Sequence, residues 1–274
     1  MDTKIFRDRQ NERDSLLLQA SARYFYDKSE KLDSCSFISI IFLVIVQLIC
    51  QSELIEMFLI FYFFIDIYLK YKTDYFINKG ADFKLVFDEY VFFEKKIPNN
   101  VLQEVKELCS KNNKIYTVMI NHNGTDKIRG VCDWYSSFIE NTNSENPILL
   151  AQDENVYFDK NFRLRLTLPV IMSLTIFIVS IYIIKNESTI SVLKSLFITF
   201  AVPVSKLIEH YFSYYKMMVN NRLLHEMISG MESNFDIQRV IDSNRRIKLL
   251  PFGNIYSVCR KKLHSNFNKY KNLF

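Results

Sequence analysis

Apolar residues in this chain fall into long uninterrupted blocks rather than a short alternation. Ser34 to Ser52 is 19 residues without a charge (SCSFISIIFLVIVQLICQS), and Leu166 to Ile184 is 19 more (LTLPVIMSLTIFIVSIYII). At about 1.5 Å per residue each would extend roughly 28 Å as a helix, close to the thickness of bilayer hydrocarbon. Neither shows the polar face of a helix lying on a soluble core. A weaker apolar segment follows each after a short connection: Leu54–Leu69, with Glu56 and Asp66, and Thr189–Ser205, with Lys194 and Pro203. The pattern predicts an all-α membrane protein, with four transmembrane helices in two hairpins and a mainly helical cytoplasmic domain.

The predicted organisation is a cytoplasmic N-terminal helix over 1–33, a transmembrane hairpin over 34–69, and a cytoplasmic region over 70–165. A second hairpin covers 166–205, and cytoplasmic C-terminal helices cover 206–274. Asn100–Ser110 reads as a short amphipathic helix with Val101, Val105 and Leu108 on one side. Lys114–Ile120 (KIYTVMI) reads as a strand followed by a turn at Asn121–Gly124. Over 206–233, Ile208, Phe212, Tyr215, Val219, Leu223, Met227 and Met231 recur at three and four, a helical seam. It serves either packing on the rest of the cytoplasmic domain or a coiled coil between subunits.

Charge placement supports this topology. Of 35 Lys and Arg, seven lie in 1–33, fourteen in 70–165 and twelve in 206–274. Two hairpins put these three segments on one face, which the positive-inside rule makes cytoplasmic. The net charge of +5 matters less than this asymmetry. Gly and Pro number five each, too few for a sandwich, a barrel or a Gly-rich nucleotide fold. The five cysteines contain no C-x-x-C pair, so neither a disulfide framework nor a zinc site is signalled.

Catalytic chemistry is not signalled either. The glycines form no phosphate loop, the four histidines show no ligand spacing, and G-x-S-x-G is absent, so no enzyme, metal or cofactor is expected. Asp88 and Glu89 read as a solvated helix face. Two features invite function. Ser188, Ser191, Ser195 and Thr199 form one stripe that would line a pore in an oligomer or, alternatively, pack helices together. Asp66 lies in an apolar segment, either facing such a pore or snorkelling to the boundary. Among the cytoplasmic cations, Arg129, Arg163, Arg165, Arg239, Arg245 and Arg246 suit an anionic ligand through phosphate contacts, or else simply face anionic lipid heads.

Several short words carry a family resemblance. Near the start stands Arg9-Gln10-Asn11-Glu12, and on the extension of the second apolar segment stands Phe87-Asp88. The only tryptophan lies in Asp133-Trp134-Tyr135, followed by Gln152, Asn155, Asp159 and Arg163. Ile237-Gln238, Arg245, Pro251 and Tyr256 complete the set. In these words and their order the chain resembles the SMODS-associated four-transmembrane effector family. It departs from it at Ala151 and Asp153, where Cys and Arg are expected, and at Tyr157, where Trp is expected.

The resemblance implies a bacterial anti-phage effector paired with a nucleotidyltransferase that makes cyclic oligonucleotides. Such a second messenger would bind the effector, which would self-assemble into a homo-oligomer and permeabilise the inner membrane, in abortive infection. The expected partners are the lipid bilayer and the cyclic nucleotide, with no direct binding of nucleic acid. The resemblance carries no catalytic residue and no ligand residue; Trp134 is either a base-stacking residue or a fold determinant. A constitutive small channel or transporter and a non-conducting membrane scaffold are the alternatives.

Overall fold

The computed structural model describes residues 3–50, 52–124, 126, 128, 130–135, 147–158, 189–230, 232–248 and 266. Helices account for nearly all of it: α1 (Thr3–Gln10), α2 (Arg13–Cys50), α3 (Glu53–Phe93), α4 (Asn99–Lys111) and α5 (Asn113–Ile120). α6 covers 147–158, and α7 (Thr189–Ser229) and α8 (Asn234–Arg245) follow. The one β feature among the described residues is an isolated bridge between Asn123 and Cys132.

α2 and α3 form a long antiparallel pair, and their far ends differ in chemistry. Near the chain's N-terminus they build an aromatic core with α1, α4 and α5, in which Phe6, Phe87, Tyr116 and Tyr135 are almost fully buried. Phe6 stacks on Phe92 at 5.8 Å, and the Tyr135 ring lies 5.3 Å from that of Phe92. Gly80 permits the close approach, because a Cβ there would lie 3.1 Å from the Ala22 carbonyl. At the opposite end α2, α3 and α7 enclose a smaller apolar cluster of Ile40, Val44, Leu59, Tyr62 and Val202. A third cluster joins α6, α7 and α8 through Val156, Leu224, Met227, Ile237 and Ile241.

The expected four transmembrane helices are not found: among the described residues, no helix is long and apolar enough to cross a membrane. The uncharged part of α2 runs only from Ser34 to Cys50, about 26 Å of helix against roughly 30 Å of hydrocarbon. α3 carries Glu53, Glu56, Asp66 and Lys70 within its first five turns. The block at 166–184 lies outside the described residues.

The strand expected at Lys114–Ile120 and the packing of the α7 seam within the chain are revised. Lys114–Ile120 is helical, not a strand, because burying Tyr116 and Met119 on one side of α5 sets the period. On α7, the face buried within the chain carries Lys206, His210, Met217, Asn221 and Leu224. The seam instead leaves Ile208, Phe212, Tyr215, Val219 and Leu223 exposed, and only Met227 of that set is buried. Met231 lies outside the described residues. Pro203 sits inside α7, where it removes the backbone hydrogen bond to residue 199.

Candidate functional site

The words that the sequence scatters over more than 230 residues meet in one buried polar junction. Asp88, on the inner face of α3, has no exposed surface. Its Oδ1 accepts from the Tyr135 hydroxyl at 2.9 Å and pairs with Lys84 Nζ at 3.0 Å. Its Oδ2 accepts from Gln238 Nε2 at 2.9 Å and from the Arg245 guanidinium. Arg245 also reaches Asp242 at 2.9 Å, and Asn155 donates to the Tyr135 hydroxyl at 3.3 Å. Gln152 Nε2 donates to the Asn234 carbonyl at 2.7 Å and to Gln238 at 3.3 Å, joining α6 to α8.

One buried carboxylate thus takes four donors from three regions of the chain. That is the arrangement in which an ion withdrawn from water keeps its charge. Burial pushes the Asp88 carboxyl up, but Arg245 and Lys84 outweigh it and hold it below the ordinary range. Burial, with Arg245 nearby, drives Lys84 down to about 7 against the pull of Asp88. Asp242, buried and only partly compensated by Arg245, is pushed up to about 6. The Tyr135 hydroxyl is driven well up by burial and the neighbouring Asp88 charge, so it stays a donor. Asp88 is therefore no solvated surface acid. The signal that could have found it is its place within the Phe87-Asp88 word.

The N-terminal word flanks the same junction, with Gln10 reaching Tyr135 directly and its neighbours anchoring nearby. Arg9 pairs with Glu94 at 3.0 Å, and Glu12 accepts from the Tyr90 hydroxyl. Gln10 Oε1 accepts from the Tyr135 backbone N–H at 3.0 Å, and Asn11 clasps Asp133. Asp133 has a φ of 46°, which turns the chain sharply enough to send Tyr135 inward.

A second polar junction lies among the apolar residues of α2, α3 and α7. Asp66 accepts from Ser36 at 2.6 Å and pairs with Lys206 at 2.6 Å, both partners being buried. The Tyr62 hydroxyl donates to the Ser36 carbonyl at 2.8 Å. Further along, Lys248 pairs with Asp33 at 2.8 Å, again buried. His210 is buried beside this row; its burial, reinforced by Lys248, lowers it to about 3.

The sequence candidates separate accordingly. Arg245 and Trp134 meet at the Asp88 junction, where Lys84 Nζ lies 5.0 Å from the Trp134 ring centre. Arg239 stands apart on the exposed side of α8, 3.9 Å from Asp236. Arg246 pairs with Asp82 at 2.7 Å. Asp66 is held inside the chain by Lys206. Thr199 is buried, and its hydroxyl has no hydrogen-bond partner among the described residues. Arg129, Arg163, Arg165, Ser188, Asp159 and the 251–256 part of the tail lie outside the described residues. Ser191 and Ser195 are placed on α7 by its backbone. Among the described residues no group of His, Cys, Asp or Glu is arranged to hold a metal.

Fold and junction together define a helical protein whose buried charges hold its elements to one another. The family model described as the SMODS-associating 4TM effector domain matches residues 4–222, and the chain belongs to that family. This is an effector family of the non-enzymatic, membrane-associated kind, set in antiviral defence. No curated protein and no solved structure matches the chain.

Proposed function

We propose that the protein is an anti-phage effector that acts on the bacterial inner membrane, assembling into oligomers that permeabilise it when a cyclic oligonucleotide is present. The observation that carries the reading is a belt of large apolar side chains at the α2–α3 tip. Ile49, Leu54, Met57, Phe58, Phe61 and Phe64 are each more than half exposed. Isolated exposed apolar residues are ordinary, but a contiguous belt of this size marks a surface that meets lipid or protein. Acyl chains are the partner for this belt. Exposed Tyr68, Tyr71 and Tyr75 follow on α3, with Lys70 and Lys72 between them, as side chains do where hydrocarbon gives way to headgroups.

Phosphates of the messenger would be met by Arg129, Arg163, Arg165 and Arg239, with Trp134 as the available stacking surface. Arg245 is committed to Asp88 and would not serve. The test uses dye-loaded vesicles of phosphatidylethanolamine and phosphatidylglycerol carrying the purified chain. Leakage is expected only when the matching member of a panel of cyclic di- and trinucleotides is added. Leakage independent of every nucleotide would leave a constitutive channel; no leakage with any of them would overturn permeabilisation.

A further inference from the structure

We propose that α8 is a releasable clamp: it ties α3 to the C-terminal part of α7 through the Asp88 junction, and its detachment is the conformational change that frees that part of α7. What detachment triggers rests on the function proposed above; the clamp itself does not.

Three observations carry it. First, α8 is attached to α3 chiefly by polar groups beside a ring contact of Phe235 with Phe93, while toward α6 and α7 it also packs Ile237 and Ile241 into an apolar cluster. Its fully buried apolar residues are Ile237 and Ile241, whereas Gln238, Asn244 and Arg245 make its buried bonds. Asn244 receives a hydrogen bond from Asn220 at 2.7 Å and gives one to Asn221 at 3.1 Å. The aromatic core beneath α3, by contrast, buries many large apolar side chains, and among the described residues none of its buried members comes from α8.

Second, this interface is incompletely satisfied. Arg245 Nη2, Gln152 Oε1 and Asn221 Nδ2 are buried and have no hydrogen-bond partner among the described residues. All three belong to α8 or touch it. A polar network with members left over is held less firmly than an apolar contact of the same area, and such elements open first.

Third, α8 connects everything that must move together. It binds α3 at Asp88, α6 at Gln152 and α7 at Asn220 and Asn221. Directly after it, Arg246 pairs with Asp82 and Lys248 with Asp33. Lifting α8 would remove the link that runs from Asp88 through α8 to Asn221 and expose Asn221 and Leu224 on α7, while the Asp66–Lys206 pair still joins α3 to the earlier part of α7.

Hydrogen exchange of the purified full chain tests the clamp without any assumption about activity. The amides of Asn234–Arg245 are expected to exchange as one unit, about tenfold or more faster than those of Phe83–Phe92. Asp88→Asn should accelerate the α8 unit further and leave α2 unchanged. Equal exchange of α8 and α3, or acceleration of both to the same degree, would overturn the proposal. Asn244→Ala, which touches only the α7 side of α8, provides the same comparison if the Asp88 variant does not fold. A second readout joins the clamp to function. In a chain whose five native cysteines are replaced by serine, Asn220→Cys and Asn244→Cys are linked by a short bis-maleimide. Linked protein is expected to lose nucleotide-triggered vesicle leakage that unlinked protein retains; equal leakage would overturn the clamp. If no nucleotide produces leakage from either form, the functional reading fails, and hydrogen exchange still decides the clamp.

Discussion

Asn11 and Asp133, 122 residues apart, clasp each other in both directions: Asn11 Nδ2 donates to the Asp133 carboxylate at 2.8 Å, and the Asp133 N–H donates to Asn11 Oδ1 at 3.0 Å. Neither residue is deeply buried, so the pair does not work by excluding water. It fixes the left-handed turn at Asp133 that points Tyr135 at Asp88. Asn11→Ala should cost about 1–2 kcal/mol by removing both bonds. Asp133→Gly should be milder than Asp133→Ala, since glycine adopts φ = 46° without strain. Thermal unfolding of the purified variants checks the order; Asp133→Gly melting below Asp133→Ala would contradict it.

The sequence made the helices legible because few breakers and long apolar blocks leave little alternative. It misjudged Asp88 because nothing near it in the chain reveals burial: its partner Arg245 is 157 residues away. Lys114–Ile120 misled for a related reason, since the partners that bury Tyr116, among them Tyr24 at 5.9 Å between rings and the Ser21 hydroxyl at 2.9 Å, lie far away in the chain. The α7 seam is a true helical period, but most of it faces outward and does not pack within the chain. Local pattern gave the repeat, and a second repeat carrying His210, Met217, Asn221 and Leu224 took the core. The family words did better than periodicity. Gln10, Asp88, Tyr135, Gln152, Asn155, Gln238 and Arg245 all belong to one bonded assembly, and Arg9 and Glu12 flank it on α3 through Glu94 and Tyr90.

Asp88 is the hub of that assembly, and its removal should be felt at every spoke. Asp88→Ala leaves Arg245 and Lys84 buried without their common anion and should cost about 3–5 kcal/mol. Tyr135→Phe removes only the hydroxyl and should cost about 1–2 kcal/mol. The double variant should lose less than the sum, by at least about 0.5 kcal/mol, because the residues share one bond. Chemical denaturation of the four proteins gives the cycle, and strict additivity would show that the hydroxyl and the carboxylate do not depend on each other.

The Asp66–Lys206 pair makes a different prediction. Breaking a buried ion pair on one side strands the other charge, so Asp66→Asn or Lys206→Met alone should cost about 3–5 kcal/mol. Replacing both with apolar residues, Asp66→Leu with Lys206→Met, should recover most of that loss, as Tyr62 and Val202 of the neighbouring apolar cluster lie one helical turn away on the same helices. The comparison is again of unfolding midpoints. Failure of the double variant to recover would mean that Asp66 is needed for its bond with Ser36 rather than for its charge.

His210 should govern how the protein responds to acid. Its side chain is 2% exposed, and Lys248, Lys206 and Lys70 add positive charge around it, opposed by Glu209. Protonation in the folded chain is therefore deferred to about 3, while the unfolded chain takes up the proton near 6.5. Between those values the unfolded state binds more protons at this residue, so the contribution of His210 to stability is complete above about 6.5 and declines as pH falls toward 3. From this group alone the loss at pH 5 relative to pH 8 is about 2 kcal/mol. His210→Gln has no such proton to take up, and its unfolding midpoint should change less between pH 8 and pH 5 than that of the parent chain. Denaturant titrations at the two pH values decide it: an equal change in both proteins would assign the acid sensitivity to the carboxylates instead.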